Sequence, residues 1–289
     1  MSGLGKRFKD VSYVLPKPLI KVNGRPIIEH VVSMFPGNHD FIFICNKEHL
    51  ATTSLEQVLK SLVPESIIIP IDTHDKGPVY ATTFAFPYIH DDDEVMISYC
   101  DYAMKFDIEE MRASVSEGGY VGAVPSYTGF HPHLLRKQLY GGVLVDKDGF
   151  MLDYREKHSF TEDPMDSYHS AGAYYFQSGK AFKEYSERLL QSDIAIRGEK
   201  YTSMLYYLVL QDGGKVYVPT VTQFMQWGTP EDLEDFESWM RYFAKKDLRE
   251  KGETSIPEER ESKVRIPYEE TSDNFKKSHD YWEVYCNTL

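Results

Sequence analysis

The sequence predicts an α/β protein whose central sheet is mostly parallel and buried on both faces. Three short apolar runs have the length of buried strands, and they span 41–45, 67–69 and 95–100. Segments with helical spacing of apolar residues separate them, one starting at Pro26 and another covering 48–63. Apolar strands that alternate with helices are typical of parallel sheets covered by helices. Ligands of such sheets bind at the carboxyl ends of the strands, where we expect the functional site.

The second half of the chain is denser in strands, which makes the predicted sheet a mixed one. A hairpin turn is expected at 146–149, where the sequence is Asp-Lys-Asp-Gly. After residue 244 the composition becomes strongly charged, so we predict one domain over 1–244 and a charged arm with a short aromatic terminal segment over 245–289. The remaining strand patterns span 120–125, 142–145, 150–156 and 171–176, and the helix patterns span 180–190, 200–210 and 230–243.

Composition and charge exclude several classes of protein. Hydrophobic residues make up 42% of the 289 residues, as in an ordinary globular protein, and the formal net charge of −13 argues against nucleic-acid binding as the main purpose. No apolar run approaches the ~20 residues that a membrane helix needs, and no signal-peptide pattern is present. The three cysteines have no CxxC spacing and are read as reduced thiols. We therefore expect a cytoplasmic protein without nucleic-acid or membrane partners.

The first thirty residues carry the strongest functional signal. Gly3 and Gly5 flank Leu4, and Arg7 follows closely. Glycines this close let the backbone turn tightly and bring its N–H groups up to an anion. The first 25 residues hold six lysines and arginines against one acid, Asp10, in an otherwise acidic chain. A polyphosphate ligand explains this local excess of positive charge, whereas a basic surface turn is the alternative for the glycines alone.

The whole opening string resembles the signature of the sugar-phosphate nucleotidyltransferases, also called nucleoside-diphosphate-sugar pyrophosphorylases. The string is Gly3-x-Gly5-x-Arg7-Phe8, then Pro-Lys-Pro-Leu-Ile at 16–20, then Val-Asn-Gly-x-Pro-Ile-Ile-Glu at 22–29. The resemblance implies a Rossmann-like three-layer sandwich with a mixed, mostly parallel sheet, the GT-A-like nucleotidyltransferase fold. In that family a buried strand precedes the glycine loop. Because Met1 stands where this strand should end, we expect residues to be missing upstream.

The same resemblance implies the reaction. A nucleoside monophosphate passes from a nucleoside triphosphate to a phosphorylated acceptor, and pyrophosphate is released, in the synthesis of capsule or surface-glycan precursors. Such a reaction needs in-line positioning and cations where negative charge gathers. By resemblance, Arg7 and Lys17 are the catalytic cations, and Gly3, Leu4 and Gly5 bind the nucleotide. The acceptor itself stays open among hexose phosphates, heptose phosphates and small phospho-compounds such as phosphocholine.

Two carboxylates are assigned to the nucleotide side of the site. Asp101 follows the third apolar strand, where the family has an aspartate that holds Mg²⁺ against the phosphates; the alternative is a helix N-cap. Asp72 and Gly77 lie in the segment that should border the nucleobase. An ionised carboxylate only accepts hydrogen bonds, so Asp72 predicts a preference for CTP or GTP, whose bases offer amino donors. The alternative is that Asp72 ends a strand and points to solvent.

On the acceptor side, the resemblance assigns Gly141, Glu156, Lys157 and Glu199, with Lys157 binding the acceptor phosphate. One departure concerns Gln226, which stands where many family members have a second metal-binding aspartate. Gln is neutral and a poor ligand for Mg²⁺.

Two other functional classes stay open. A glycosyltransferase that uses a nucleotide sugar would want an Asp-x-Asp pair, and the stretch 100–103 has no second acid. A nucleotide-binding regulatory module that has lost catalysis is favoured slightly by Gln226. Oligomeric state is not determined by the sequence, and a homo-oligomer is one possibility that the charged arm and aromatic terminus suggest.

Overall fold

A computed structural model describes residues 1, 15–136, 140–250 and 266–286 of the chain. The predicted glycine loop with Gly3, Leu4, Gly5 and Arg7 lies outside the described residues. The strands are β1 (Lys21–Val22), β2 (Arg25–Pro26), β3 (Ile42–Asn46), β4 (Ile67–Ile71), β5 (Val95–Ser98), β6 (Tyr102–Lys105), β7 (Gly122–Ala123), β8 (Ser126–Tyr127), β9 (Gly142–Val145), β10 (Met151–Arg155), β11 (Tyr168–Ser170), β12 (Ala173–Phe176), β13 (Val216–Tyr217) and β14 (Gln223–Gln226).

Helices alternate with the strands, and a helix is the last element that the structure describes. Short 3-10 turns lie at Lys17–Leu19, Thr83–Tyr88, Pro132–Leu135 and Pro164–Asp166. None of the helices in the described ranges is both long and apolar enough to cross a membrane. The α-helices are α1 (Ile27–Ser33), α2 (Lys47–Thr52), α3 (Leu55–Leu62), α4 (Pro78–Thr82), α5 (Ile108–Gly118), α6 (Gly179–Gln191), α7 (Met204–Gln211), α8 (Pro230–Glu250) and α9 (Asp273–Cys286).

The sheets are mixed, which confirms the predicted α/β class. Strands β3 and β4 pair in parallel, as the first half of the sequence predicts. In the second half, β12 pairs antiparallel with β5 and β7, whereas β7 and β13 are parallel. The other strand pairs among the described residues are antiparallel. Parallel pairing is therefore less common than the mostly parallel sheet that the sequence predicts. The tight turn between β9 and β10 accounts for one of these pairs, because a hairpin is antiparallel. Other antiparallel pairs, such as β5 with β12 and β6 with β14, join strands that are distant in the sequence.

The helix predicted over 48–63 is interrupted at Thr53, which has an extended backbone. Its hydroxyl donates to the carbonyl of His49 at 2.6 Å and accepts from the backbone N–H of Leu55 at 3.3 Å. The Thr53 side chain thus bonds a backbone carbonyl at the end of α2 and a backbone N–H at the start of α3. Such side-chain hydrogen bonds give the backbone an alternative to a continuous helix. The spacing of apolar residues continues across the break, so the periodicity alone does not show it.

The C-terminal part packs on the body of the protein. Helix α8 passes the predicted boundary at 244 and continues to Glu250. Helix α9 buries Phe275, Trp282 and Tyr285 in the same core cluster as Trp239 of α8. The Tyr285 hydroxyl donates to the carbonyl of Phe224 in β14 at 2.9 Å. The terminal aromatic segment therefore supports the strand that ends at Gln226.

Candidate active site

Lys17 and Asp101 form an ion pair at the centre of the candidate site. Lys17 begins the first 3-10 turn, whose next two residues are buried, and Asp101 lies between β5 and β6. The Lys17 Nζ is 3.0 Å from Asp101 Oδ2 and 2.9 Å from the carbonyl oxygen of Gly228. The backbone N–H of Trp227 donates to the Asp101 carbonyl at 2.9 Å, which ties Asp101 to the end of β14. A strand and not a helix follows Asp101, so the helix N-cap alternative is wrong.

Asp101 of this ion pair lines a cavity of about 240 Å³, whose wall also holds most of the predicted acceptor residues. Its wall includes Asp101 and Gly228 together with Gly141, Glu156 and Lys157. Residues that are more than a hundred positions apart in the sequence thus meet in one place. The volume lies below the ~300–1,000 Å³ of pockets for drug-sized ligands, so the cavity suits a small ligand.

Glu156 follows β10 and presents a largely desolvated carboxylate to the cavity. The Tyr154 hydroxyl donates to its Oε1 at 3.1 Å, and the Ser203 hydroxyl, from the start of α7, donates to the same oxygen. Burial raises the pKa of Glu156, although these two hydrogen bonds and nearby Lys157 act in the opposite direction. Such donors favour the charged carboxylate. The group is therefore held as an acceptor of hydrogen bonds.

Gly141 is required by the close approach of Tyr154. A Cβ atom at position 141 would lie 1.7 Å from the Tyr154 hydroxyl oxygen. The Gly141 carbonyl accepts from the backbone N–H of Ser170 at 2.9 Å, which fixes it beside β11. A glycine here lets Tyr154 reach Glu156.

Lys157 and Glu199 each contact Tyr201. Lys157 has a positive φ of 53°, and its Nζ lies 5.8 Å from the centroid of the Tyr201 ring. The Tyr201 hydroxyl donates to Glu199. Tyr201 and Lys157 border the cavity, whereas Glu199 stands behind Tyr201.

The residues predicted to border the nucleobase separate into two groups. Gly77 has a φ of +86°, and a Cβ atom there would lie 2.5 Å from the backbone nitrogen of Lys200, so the loop packs directly on the segment that carries Glu199. Asp72 is remote from the cavity wall; its carboxylate is 82% exposed and forms an ion pair with Lys47 at 2.9 Å. The structure therefore agrees with the solvent-facing alternative for Asp72 in this state of the protein.

The side chains around Asp101 suit a metal ion that takes most of its ligands from substrate phosphates, and not one bound by protein ligands alone. Asp101 supplies the carboxylate at this end of the cavity wall, and its neighbour there is the neutral side chain of Gln226. Gln226 lies opposite Tyr102 in the β6–β14 pair. In the part of the chain that the structure describes, no group of three His, Cys, Asp or Glu side chains is arranged to hold a metal. Mg²⁺ commonly binds one or two carboxylates and takes its other ligands from substrate phosphates and water, and this arrangement fits Asp101.

Sequence reasoning did not find the buried charge cluster behind Gln226. Arg136 Nη2 lies 3.3 Å from both Asp232 Oδ1 and Asp235 Oδ2 in the first turns of α8. Burial raises the pKa of both aspartates, that of Asp235 to about 6. The Tyr140 hydroxyl donates to Asp232 at 3.4 Å, which connects this cluster to the cavity wall. The sequence shows only a good helix start at this point, because Arg136 is about a hundred residues away.

Comparison with known proteins agrees with this geometry. Residues 1–147 match the model of a family described as the MobA-like NTP transferase domain. The bifunctional protein GlmU of Clostridioides difficile (strain 630) is 26% identical over 248 residues, which cover 83% of this chain and 50% of that protein. Glucose-1-phosphate cytidylyltransferase of Salmonella typhimurium (strain LT2) is 27% identical over 130 residues, covering 37% of this chain and 50% of that protein. The matched region is thus about half the length of each of these curated relatives.

Solved structures confirm the nucleotidyltransferase fold. A nucleoside-diphosphate-sugar pyrophosphorylase from Vibrio cholerae RC9 superposes with a TM-score of 0.67 at 17% identity, over 81% of this chain and 96% of that one. The inositol-1-phosphate CTP transferase from T. maritima superposes with a TM-score of 0.60 at 17% identity, over 80% and 88%. Since the matching family model covers just over half of the sequence, the chain belongs to the MobA-like NTP transferase family.

Proposed function

We propose that the protein transfers a nucleoside monophosphate from a nucleoside triphosphate to a phosphorylated small-molecule acceptor. An oxygen of the acceptor phosphate attacks the α-phosphorus, the bond from the α-phosphorus to the oxygen that bridges to the β-phosphate breaks, and pyrophosphate leaves with that oxygen. One observation supports this most strongly: Asp101, which Lys17 contacts, lines the same cavity as the predicted acceptor residues Glu156 and Lys157. That juxtaposition is what a reaction between two phosphorylated substrates requires.

Each charged group has a role in this proposal. The Lys17 ammonium stabilises the negative charge that gathers on the α-phosphate in the transition state. Asp101 would hold Mg²⁺ together with the phosphates, and the ion would neutralise part of the triphosphate charge. Lys157 would bind the acceptor phosphate. Arg7 keeps its predicted role at the leaving phosphates, although it lies outside the described residues.

The preferred nucleotide is proposed to be CTP or GTP, with CTP first. The name of one relative, a glucose-1-phosphate cytidylyltransferase, supports CTP. The exposed ion pair of Asp72 with Lys47 lends the original argument from Asp72 no support, since that carboxylate already has a partner. A role in cytoplasmic synthesis of capsule or surface-glycan precursors and a homo-oligomeric state stay predictions.

Pyrophosphate release from each of CTP, GTP, ATP, UTP and dTTP, with a panel of phosphorylated acceptors and Mg²⁺, tests the proposal. We expect release with CTP or GTP and one acceptor, and a kcat/KM at least about tenfold lower with UTP or dTTP. A clear preference for UTP or dTTP would overturn the nucleotide assignment only. Transfer from a nucleotide sugar without pyrophosphate release would instead show a glycosyltransferase. Nucleotide binding without turnover of any acceptor would show a regulatory module.

A further inference from the structure

Tyrosine rings make up much of the cavity wall. They come from separate elements: the β5–β6 connection, the segment before β9, strands β6, β10 and β12, and the segment before α7. Aromatic faces carry negative potential, and they attract organic cations as well as apolar groups. The six tyrosines are Tyr99, Tyr102, Tyr140, Tyr154, Tyr174 and Tyr201.

Five of these six tyrosine hydroxyl groups are engaged by the protein itself. The Tyr99 hydroxyl is buried. The others each have a protein partner within hydrogen-bond distance. A wall of this kind presents rings to a ligand more than hydroxyl groups. The partners are Ser98 for Tyr102 at 2.8 Å, Asp232 for Tyr140 at 3.4 Å, Glu156 for Tyr154 at 3.1 Å, Ser170 for Tyr174 at 3.3 Å, and Glu199 for Tyr201.

The donors around Glu156 converge on one of its two oxygens. Tyr154 and Ser203 both donate to Oε1, and neither bond is made to Oε2. A carboxylate can accept about four hydrogen bonds. Since Glu156 borders the cavity, its remaining capacity is available to a ligand that donates hydrogen bonds or carries positive charge.

The charges of the cavity also favour a cation. At one end, Lys17 and Asp101 neutralise each other. The other charged side chains of the cavity wall are Glu156 and Lys157. Among the described residues, no lysine, arginine or histidine nitrogen lies within salt-bridge distance of Glu156. A buried carboxylate without an ion-pair partner is costly, and a bound cation removes that cost.

We propose that the acceptor is a small phosphate ester that carries an alkylammonium group. The ammonium lies against Glu156 among the tyrosine rings, and the phosphate binds Lys157, which lines the same cavity as Asp101. A sugar ring would need a hydrogen-bond partner for each buried hydroxyl group, and a wall whose hydroxyls are already engaged supplies few. This inference rests on the proposed nucleotidyl transfer, and it specifies the acceptor.

The test compares acceptors that differ in charge at one atom. Phosphocholine and 3,3-dimethylbutyl phosphate have nearly the same shape, but a carbon replaces the cationic nitrogen in the second. Phosphoethanolamine distinguishes a primary from a quaternary ammonium, and glucose 1-phosphate represents sugars. We expect kcat/KM for the better ammonium compound to exceed that for the neutral isostere by at least about tenfold, in line with charge and cation–π terms.

Glu156→Gln should reduce this ratio to within about threefold, because the carboxamide keeps the shape and removes the charge. Glu162→Gln, at an exposed position outside the cavity wall, is the matched control and should leave the ratio unchanged. Equal rates with phosphocholine and its neutral isostere, or turnover of glucose 1-phosphate alone, would overturn the acceptor class while nucleotidyl transfer stands.

A binding measurement separates the two proposals if no acceptor is turned over. In that case nucleotidyl transfer has failed, and the thermal shift of the wild-type protein with each phosphate ester decides the acceptor class by itself. A larger rise in Tm with an ammonium compound than with the neutral isostere supports the cation site. Equal shifts, or none, would contradict it.

Discussion

Replacing Lys17 by methionine removes the ammonium while keeping most of the apolar side chain. In the structure this ammonium donates to Asp101 at 3.0 Å and to the Gly228 carbonyl at 2.9 Å, and the side chain is 18% exposed. Removal of one donor that stabilises transition-state charge typically costs about 100–1,000-fold in rate, or roughly 2.7–4 kcal/mol. We expect kcat to fall by that factor, with a smaller change in the KM for the nucleotide.

The same substitution should also destabilise the fold. Asp101 loses its cation, and the Gly228 carbonyl loses its donor, both in a partly buried setting. Loss of a partner from such a group costs about 1–3 kcal/mol. The free energy of unfolding, measured by urea denaturation, should decrease by that amount while the circular dichroism spectrum stays native.

Lys183 provides a matched control. Its ammonium also donates to a carboxylate, Asp91 at 2.6 Å, and to a backbone carbonyl, that of Ile89 at 3.1 Å, and its side chain is 24% exposed. It lies on α6, outside the cavity wall. Lys183→Met should therefore cost stability without reducing kcat. If Lys17→Met keeps its rate within about threefold of the wild type, or if both variants lose rate equally, the catalytic role of Lys17 is refuted.

Three further substitutions test other parts of the site. Asp101→Asn should raise the Mg²⁺ concentration needed for half-maximal rate and lower kcat by about 100-fold, whereas an unchanged Mg²⁺ profile would exclude Asp101 as the metal ligand. Burial holds the pKa of Asp235 at about 6, above the unfolded 3.8, so the folded state keeps a proton that the unfolded state releases, and stability falls as pH rises from about 4 to 6. Asp235→Asn should remove this loss of stability, so the variant should be more stable than the wild type at pH 7 by up to about 3 kcal/mol. Urea denaturation at pH 4 and pH 7 measures the free energy of unfolding of both proteins. The same pH dependence in the two proteins would disprove the prediction. Gly141→Ala should push the Tyr154 hydroxyl away from Glu156 and lower kcat/KM for the acceptor by roughly tenfold at constant KM for the nucleotide, and an unaffected acceptor KM would show that this contact is not used.

The strands and helices could largely be predicted from the sequence, because they depend on the local pattern of apolar residues. The apolar runs at 41–45 and 67–69 became the parallel pair β3 and β4, and the Asp-Lys-Asp-Gly turn joins β9 to β10. The short aromatic terminal segment was also predicted, and it forms helix α9. The break at Thr53 was not, since it depends on one hydroxyl group and not on periodicity.

The candidate site could be predicted only where a motif marked it. Asp101, Glu156 and Lys157 stand in recognisable strings, and they do border one cavity. The contacts that tune them join distant parts of the chain: Ser203 is 47 residues from Glu156, and Lys17 is 84 residues from Asp101. Neither the spacing of apolar residues nor a local motif determines which side chain meets which over such separations.

The neutral side chain of Gln226 has an electrostatic reason that appears only in the folded protein. Gln226 ends β14 near Asp101, and its other side borders a small cleft with Arg136, Asp232 and Asp235. One guanidinium already serves two buried carboxylates there, and burial raises the pKa of both. A carboxylate at position 226 would add like charge to both neighbours, which a poorly solvated site disfavours. The acidic pair and the neutral glutamine are therefore linked electrostatically, which is consistent with the proposed role of Asp101 as the carboxylate that holds Mg²⁺ together with the triphosphate.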